Sequence, residues 1–210
     1  SFFSPSCAFT AAAPAMSHSS SREVPEETPT SDATGAPMLA RSVTVLNPMP
    51  RLRAKVVHGF GRGSKLLGFP TANMEVPWDK DGKTEDLMPH EEDILKFAKG
   101  CTPGVYCAWA QVDGSDRGVY KVAMSVGWNP TFTDVKVKTL EPWILHDYGE
   151  DFYDRELRLI VCAFVRPEVK FDNFEKLIEA IREDGEFCRA TLDGSPWASL
   201  GQDDFFRLEE

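Results

Sequence analysis

Between Gly59 and Asn73 the chain reads GFGRGSKLLGFPTAN, with four glycines, a Ser64-Lys65 pair and a Pro70-Thr71-Ala72-Asn73 turn. Glycines let a backbone turn tightly and come close to a ligand. Successive N–H groups in such a loop can cradle phosphate oxygens, and Lys65 adds a point charge. Thr71 and Asn73 offer hard oxygens of the kind Mg²⁺ accepts beside phosphates and water. One segment thus holds most of what a nucleotide-phosphate site needs. The common phosphate loops are absent. GxxxxGK[ST] needs Gly directly before Lys, and Ser64 separates Gly63 from Lys65; GxGxxG needs a glycine where Ser64 stands. The plainer alternative is a Gly-rich surface turn, in which Thr71 and Asn73 make turn hydrogen bonds.

Further along, Glu141 is a carboxylate that could accept a proton from an attacking hydroxyl. Asp147, Glu150, Asp151 and Asp154 are rival acids, but their clustering in and directly before YGEDFYD reads as a solvated turn. His146 could hydrogen-bond or stack. Arg166 suits stacking on, or bidentate contact with, a planar polar ligand. Phe171 and Phe174 either wall a ligand slot or pack in the core.

Four blocks carry a family resemblance: Gly59–Asn73, SVGWNPTF at Ser125–Phe132, EPWILHDYGEDFYDRELRL at Glu141–Leu159, and FVRPEVKFDNFEKLIEAIRED at Phe164–Asp184. In content and order they resemble the riboflavin kinase (flavokinase) family of the monofunctional, eukaryotic type. The resemblance implies ATP-dependent phosphorylation of riboflavin to FMN. It implies Glu141 as catalytic base acting on the terminal ribityl hydroxyl. Phosphate and nucleotide contact falls to Gly59, Gly61, Gly63, Ser64, Lys65, Thr71 and Asn73. Thr71 and Asn73 are also the metal ligands, for Mg²⁺ or another divalent ion such as Zn²⁺ or Mn²⁺. Ile144, His146 and Tyr153 match adenine-side and nucleotide-loop contacts. Arg166 matches a flavin-binding arginine, and Phe171 and Phe174 are the candidates to wall the flavin slot. One departure is plain: the family commonly has histidine two residues after the glutamate, and Trp143 stands here.

The elements that must position these residues are mostly strands. Arg53–Phe60, Gly104–Val112, Val119–Val126, Val135–Leu145 and Leu157–Val165 are short runs rich in β-branched and aromatic residues. Asp113-Gly114-Ser115-Asp116 is a hairpin signal. Pro142 assigns its part of Val135–Leu145 to an edge or a bulge. Leu157, Leu159, Val161, Ala163 and Val165 alternate onto one face. Trp128 reads as barrel core and Asn129-Pro130 as a turn. A helix follows Asp172, with Glu175 completing a capping box and Phe174, Leu177, Ile178 and Ile181 as a core-facing stripe. Glu91–Lys99 is a second, shorter helix inside a segment, residues 75–103, longer than the family's usual link. The fold class is mainly β: by composition an antiparallel barrel or sandwich, and by resemblance a small closed, Greek-key-like antiparallel barrel with a C-terminal helix packed on it.

The chain has 210 residues, of which 42% are hydrophobic, and a net charge of −10. Residues 1–41, rich in Ser, Ala, Pro and Thr, read as a disordered tail, and 42–210 as the kinase domain. The acidic balance disfavours a nucleic-acid footprint, including an OB-like binder. The five cysteines form no CxxC pair and the four histidines are scattered, which argues against zinc fingers and for reduced thiols, with Cys107 and Cys162 buried. No run approaches the ~18 apolar residues of a membrane span. These readings set the expectation of a cytoplasmic monomer binding riboflavin/FMN and ATP/ADP, with no nucleic-acid or membrane partner. An organelle address in the tail is the alternative, since residues 1–21 lack acids but also lack arginine. The short stretch ahead of the kinase blocks predicts no adenylyltransferase domain and no FAD synthesis. Two rivals stay open: a barrel that binds flavin or nucleotide without turnover, and a phosphotransferase for another polyol.

Overall fold

The structure, a computed structural model, describes residues 39–59, 68–78, 86–114, 116–128 and 137–207. All lie in one compact unit, Leu39–Glu210. Of the segment read as tail, 1–38 lies outside the described residues, whereas Arg41 is seated on the folded body (below).

Among the described residues seven strands form the sheet: β1 Thr44–Val45, β2 Arg51–Val57, β3 Asn73–Met74, β4 Gly104–Val112, β5 Tyr120–Trp128, β6 Lys138–Ile144 and β7 Glu156–Pro167. The order is β3-β2-β7-β4-β5-β6, with β1 paired to the side of β7, and every strand pair is antiparallel. The sheet curls until its ends meet. The Ala72 N–H, just before β3, donates to the Pro142 carbonyl of β6 at 2.9 Å. The result is a nearly closed barrel. Pro142, in mid-strand opposite Met124, has no N–H to offer a ladder. It is tolerated because β6 ends the hydrogen-bonded order and uses Pro142's carbonyl for the closure.

Alternating residues divide the strands into two faces. Leu52, Val56, Val122, Met124, Leu140, Leu157 and Leu159 fill the barrel interior. Burying each large aliphatic contributes about 1.5–3 kcal/mol against leaving it wet. A second cluster, Cys107, Ala123, Ile160, Cys162, Val165, Cys188 and Leu192, lies under the helix α2, Phe174–Asp193. β7 serves both clusters by alternation, with Leu157, Leu159 and Val161 inward and Ile160 and Cys162 outward, and its register with β4 slips twice, beside Val165 and beside Cys162. The slips send Val165 to the outer cluster, so the alternation expected to run through Val165 breaks before it.

The helix α1, Pro89–Gly100, buries Ile94 and Ala98 in the interior cluster. The segment that looked like an insertion thus completes the barrel core. Lys138 ties it down: its ammonium donates to the carbonyls of Lys99 (3.2 Å) and Cys101 at the helix C-terminus, where a cation opposes the helix dipole favourably. Lys138 Nζ also lies 5.0 Å from the Trp128 ring centroid. Trp128 itself is 47% exposed, so it is not barrel core; it sits on β5 two residues past inward-facing Val126, where the strand runs off the barrel.

α2 is capped by Asn173 rather than Asp172: Asn173 Oδ1 accepts from Lys176 N at 2.9 Å. Its buried face is Ala180, Asp184, Gly185, Cys188 and Leu192, further along than the stripe read from sequence. Phe174 is 55% exposed and Leu177, Ile178 and Ile181 are half-buried. After α2 two 3₁₀ turns, Ala198–Gln202 and Asp204–Phe206, close the outer cluster with Trp197, Leu200 and Phe206. Cys107, Cys162 and Cys188 are buried free thiols, and burial pushes Cys162 up to about 12. Among the described residues no helix is long and apolar enough to cross a membrane.

Candidate functional site

The barrel seam assembles the site. Ala72 is buried and bonded to Pro142, so Thr71 and Asn73 flank it on one side of the seam, and Glu141 and Trp143 flank Pro142 on the other. Leu140 and Ile144 point inward, so strand alternation turns Glu141 and Trp143 to the outer face. Thr71, Asn73 and Glu141 are all half-buried. Two hydroxyl and amide oxygens and one carboxylate, distant in sequence, thereby share one surface.

Neighbours hold each group. Thr139, two residues before Glu141 and on the same face, donates its hydroxyl to Glu141 Oε1 at 3.0 Å. Asn73 pairs with Val57 at the end of β2, and its amide lies flat against Gly59. A Cβ at Gly59 would come within 2.9 Å of Asn73 Cγ and nearer still to Nδ2. Gly59 is therefore glycine because Asn73 occupies its side-chain space. Gly61, Gly63, Ser64 and Lys65 lie outside the described residues, as does the turn at Asn129-Pro130. Gly68, at φ +77, takes a backbone conformation that favours glycine as the chain re-enters toward Thr71.

The residues read as nucleotide-side contacts divide. Ile144 is buried in the barrel core. His146 stacks on Tyr120 (centroids 3.7 Å apart, planes 6°), and its Nε2 is 3.3 Å from Asp116 Oδ2. The Tyr120 hydroxyl also donates to Asp116 and holds that carboxyl below the usual carboxylate range, while the Tyr120 hydroxyl is itself pushed up. Tyr153 stacks on His58, 3.8 Å between centroids, at the end of β2 just before Gly59. Of the rival acids, Asp147, Glu150, Asp151 and Asp154 are all exposed.

On the flavin side, Phe171 is half-buried and Phe174 exposed at the start of α2. Arg166 is 6% exposed and gripped by Asp184 of α2: Nε donates to Oδ1 at 2.9 Å, and Nη2 donates to Oδ2. Its Nη1 donates to the Pro167 carbonyl at 3.0 Å. Arg41 reaches the same Asp184 Oδ1 at 2.8 Å and Glu183 at 2.9 Å. Arg166 thus braces α2 against β7.

Thr139 and Asp184 escaped the sequence reading. Thr139 was legible in principle, since an i−2 neighbour on a strand shares the face of Glu141. Asp184 was not, because its role depends on where α2 docks. Among the described residues no three of His, Cys, Asp or Glu group to hold a metal. The hydroxyl and amide oxygens of Thr71 and Asn73, beside one carboxylate, are instead a hard-oxygen donor set. Such a set suits Mg²⁺, which keeps waters and takes its remaining ligands from phosphates.

The family model described as riboflavin kinase matches residues 46–192. The chain is 45% identical over 150 residues to a bifunctional riboflavin kinase/FMN phosphatase of Arabidopsis thaliana. That match covers 71% of this chain and 35% of the relative, so the chain spans about a third of that relative's length. It is 37% identical to the riboflavin kinase of Mus musculus, over 75% of this chain and 90% of that one. The crystal structure of riboflavin kinase from Trypanosoma brucei superposes with a TM-score of 0.55 at 26% identity, covering 76% of this chain and 90% of that one.

Proposed function

The chain belongs to the riboflavin kinase family, and on that premise we propose that it transfers the γ-phosphoryl group of ATP to the terminal ribityl hydroxyl of riboflavin, giving FMN and ADP, with Glu141 as base. The observation that carries the reading is the Ala72–Pro142 hydrogen bond at the barrel seam, which sets Thr71 and Asn73 beside Glu141. Phosphoryl transfer depends chiefly on positioning and on neutralising charge, and a rigid seam supplies both.

Glu141 accepts the proton of the ribityl hydroxyl as that oxygen bonds to the γ-phosphorus and the bond to the ADP oxygen breaks. Thr139 orients the carboxylate through Oε1. Thr71 and Asn73 would hold Mg²⁺, whose chemistry when bound is to neutralise the phosphate oxygens. Gly59 leaves room for Asn73 to keep its aim. Phe174, exposed at the start of α2, and Phe171 offer apolar surface to the isoalloxazine. Arg166, buried on Asp184, acts there by holding α2 in place.

FMN formation from riboflavin and ATP, followed by chromatography with and without Mg²⁺, tests the reading. Glu141→Gln should lower kcat by about 10²–10⁴-fold while leaving riboflavin affinity within about tenfold. Metal-independent turnover, or a variant as fast as the parent, would refute the assignment. Riboflavin binding with no FMN formed by the parent would move the reading to a binding protein.

A further inference from the structure

Trp143, on β6 two residues after Glu141, joins three elements. Its ring meets Phe69 edge-on, centroids 4.8 Å apart and planes at 73°. Phe69 stands directly before Pro70-Thr71, in the turn that delivers Thr71 and Asn73 to the seam. The indole also lies in a notch at Gly185, in the buried face of α2. A Cβ at Gly185 would come within 2.8 Å of Trp143 Cη2, within 3.3 Å of Cε3, and closer still to Cζ3. The glycine therefore makes the socket. Glycine within a helix costs about 1 kcal/mol relative to alanine, and the seated indole accounts for its presence.

We propose that Trp143 is a positioning residue: wedged between Gly185 and Phe69, it sets the Pro70–Asn73 turn against Glu141, so that the placement of α2 is felt at the phosphate-side residues. The argument rests on the function proposed above. Trp143 shares the outer face of β6 with Glu141, two residues away, so the wedge and the carboxylate ride on one stretch of strand. A shift of the indole moves the turn relative to that carboxylate. Edge-to-face aromatic contact gives the wedge a preferred geometry as well as bulk. A misplacement of about 1 Å at a reacting centre can cost on the order of a hundredfold in rate.

The test is Gly185→Ala, which fills the socket without touching the seam. Alanine is the better helix former, so the helix itself is not weakened. The expected result is a protein that melts cooperatively, with kcat/KM for ATP lowered roughly ten- to hundredfold and the affinity for riboflavin changed by less than threefold. A smaller ring should restore the rate: Gly185→Ala combined with Trp143→His should recover most of the lost kcat/KM. Phe69→Leu perturbs the wedge at its other contact and should give the same loss of kcat/KM for ATP with riboflavin affinity retained. A folded Gly185→Ala protein with parental kinetics would overturn the proposal. So would a loss of riboflavin affinity as large as the loss of kcat/KM for ATP that Trp143→His does not relieve. If Gly185→Ala does not fold, a folded Phe69→Leu protein with parental ATP kinetics overturns it alone. Failure of the parent to make FMN at all would count against the function, whereas these outcomes count against the wedge.

Discussion

Asp184→Asn should be the most damaging conservative change to the stability of the fold. Asp184 is 3% exposed and accepts from two guanidinium groups, Arg166 (2.9 Å from Nε) and Arg41 (2.8 Å). Asparagine keeps the shape and one acceptor oxygen but removes the charge. Arg41 retains Glu183 and the carbonyls of Leu39 and Ala180. Arg166 is more deeply buried and retains only the Pro167 carbonyl among the partners described here. The penalty thus falls mainly on Arg166. Removing one partner of a buried pair costs about 3–5 kcal/mol, and the retained oxygen favours the lower end. At roughly 2–4 °C per kcal/mol for a body of this size, the melting temperature should fall by about 6–12 °C. Urea titration with circular dichroism gives the free energy directly. The loss should persist at high salt, since burial shields the pair from screening. Replacing both groups, Arg166→Met with Asp184→Leu, should recover most of it, because the Arg166 charge is gone and Arg41 keeps Glu183. A loss below about 1 kcal/mol for Asp184→Asn would put the interaction with surface ion pairs and refute the reasoning.

Gly59→Ala should displace Asn73 from its seat and lower metal-dependent FMN formation by at least about tenfold, with little change in melting temperature because Gly59 is exposed. Parental activity in that variant would remove Asn73 from the site. Asp203 is held below the usual carboxylate range by the Phe205 N–H and then by Arg51. A depressed carboxyl contributes stability above its unfolded value of 3.8 and loses it as the pH falls through the lower folded value. Asp203→Asn should therefore flatten the acid limb of a stability–pH curve below pH about 4 and leave its slope near neutrality unchanged. An unaltered acid limb would show that the Asp203 contacts do not persist in solution.

Much of the barrel was legible because strand signals are local. Gly104–Val112 emerged with the bounds that its β-branched and aromatic run and flanking glycine set. β4 and β5 pair antiparallel as consecutive strands, and the chain turns at Asp113-Gly114 directly after β4, with Gly114 at φ +68. Cys107 and Cys162 are buried and free, as their strand settings implied. What failed depended on the partner a face would meet. The apolar stripe at Phe174, Leu177, Ile178 and Ile181 has helical period, but the barrel supports α2 further along, at Ala180, Gly185 and Cys188. Trp128 reads as core by type, yet β5 outruns the barrel wall at its end. The run of residues 75–103 gives no local sign that Ile94 and Ala98 pack into the interior cluster.

The site divides along the same line. Residue types and their order along the chain suggest the proposed chemistry: hard oxygens at Thr71 and Asn73, a carboxylate at Glu141, and a glycine loop ahead of them. Those are covalent facts, readable without a fold. That Thr71, Asn73 and Glu141 share one surface is a fact of barrel closure, set by the hydrogen bond between Ala72 and Pro142 across some seventy residues. The pairing of Arg166 with Asp184, and of Trp143 with Gly185, belongs to the same class. Each depends on where α2 settles against the barrel wall, and that is decided by the packing of whole faces rather than by any local run of residues.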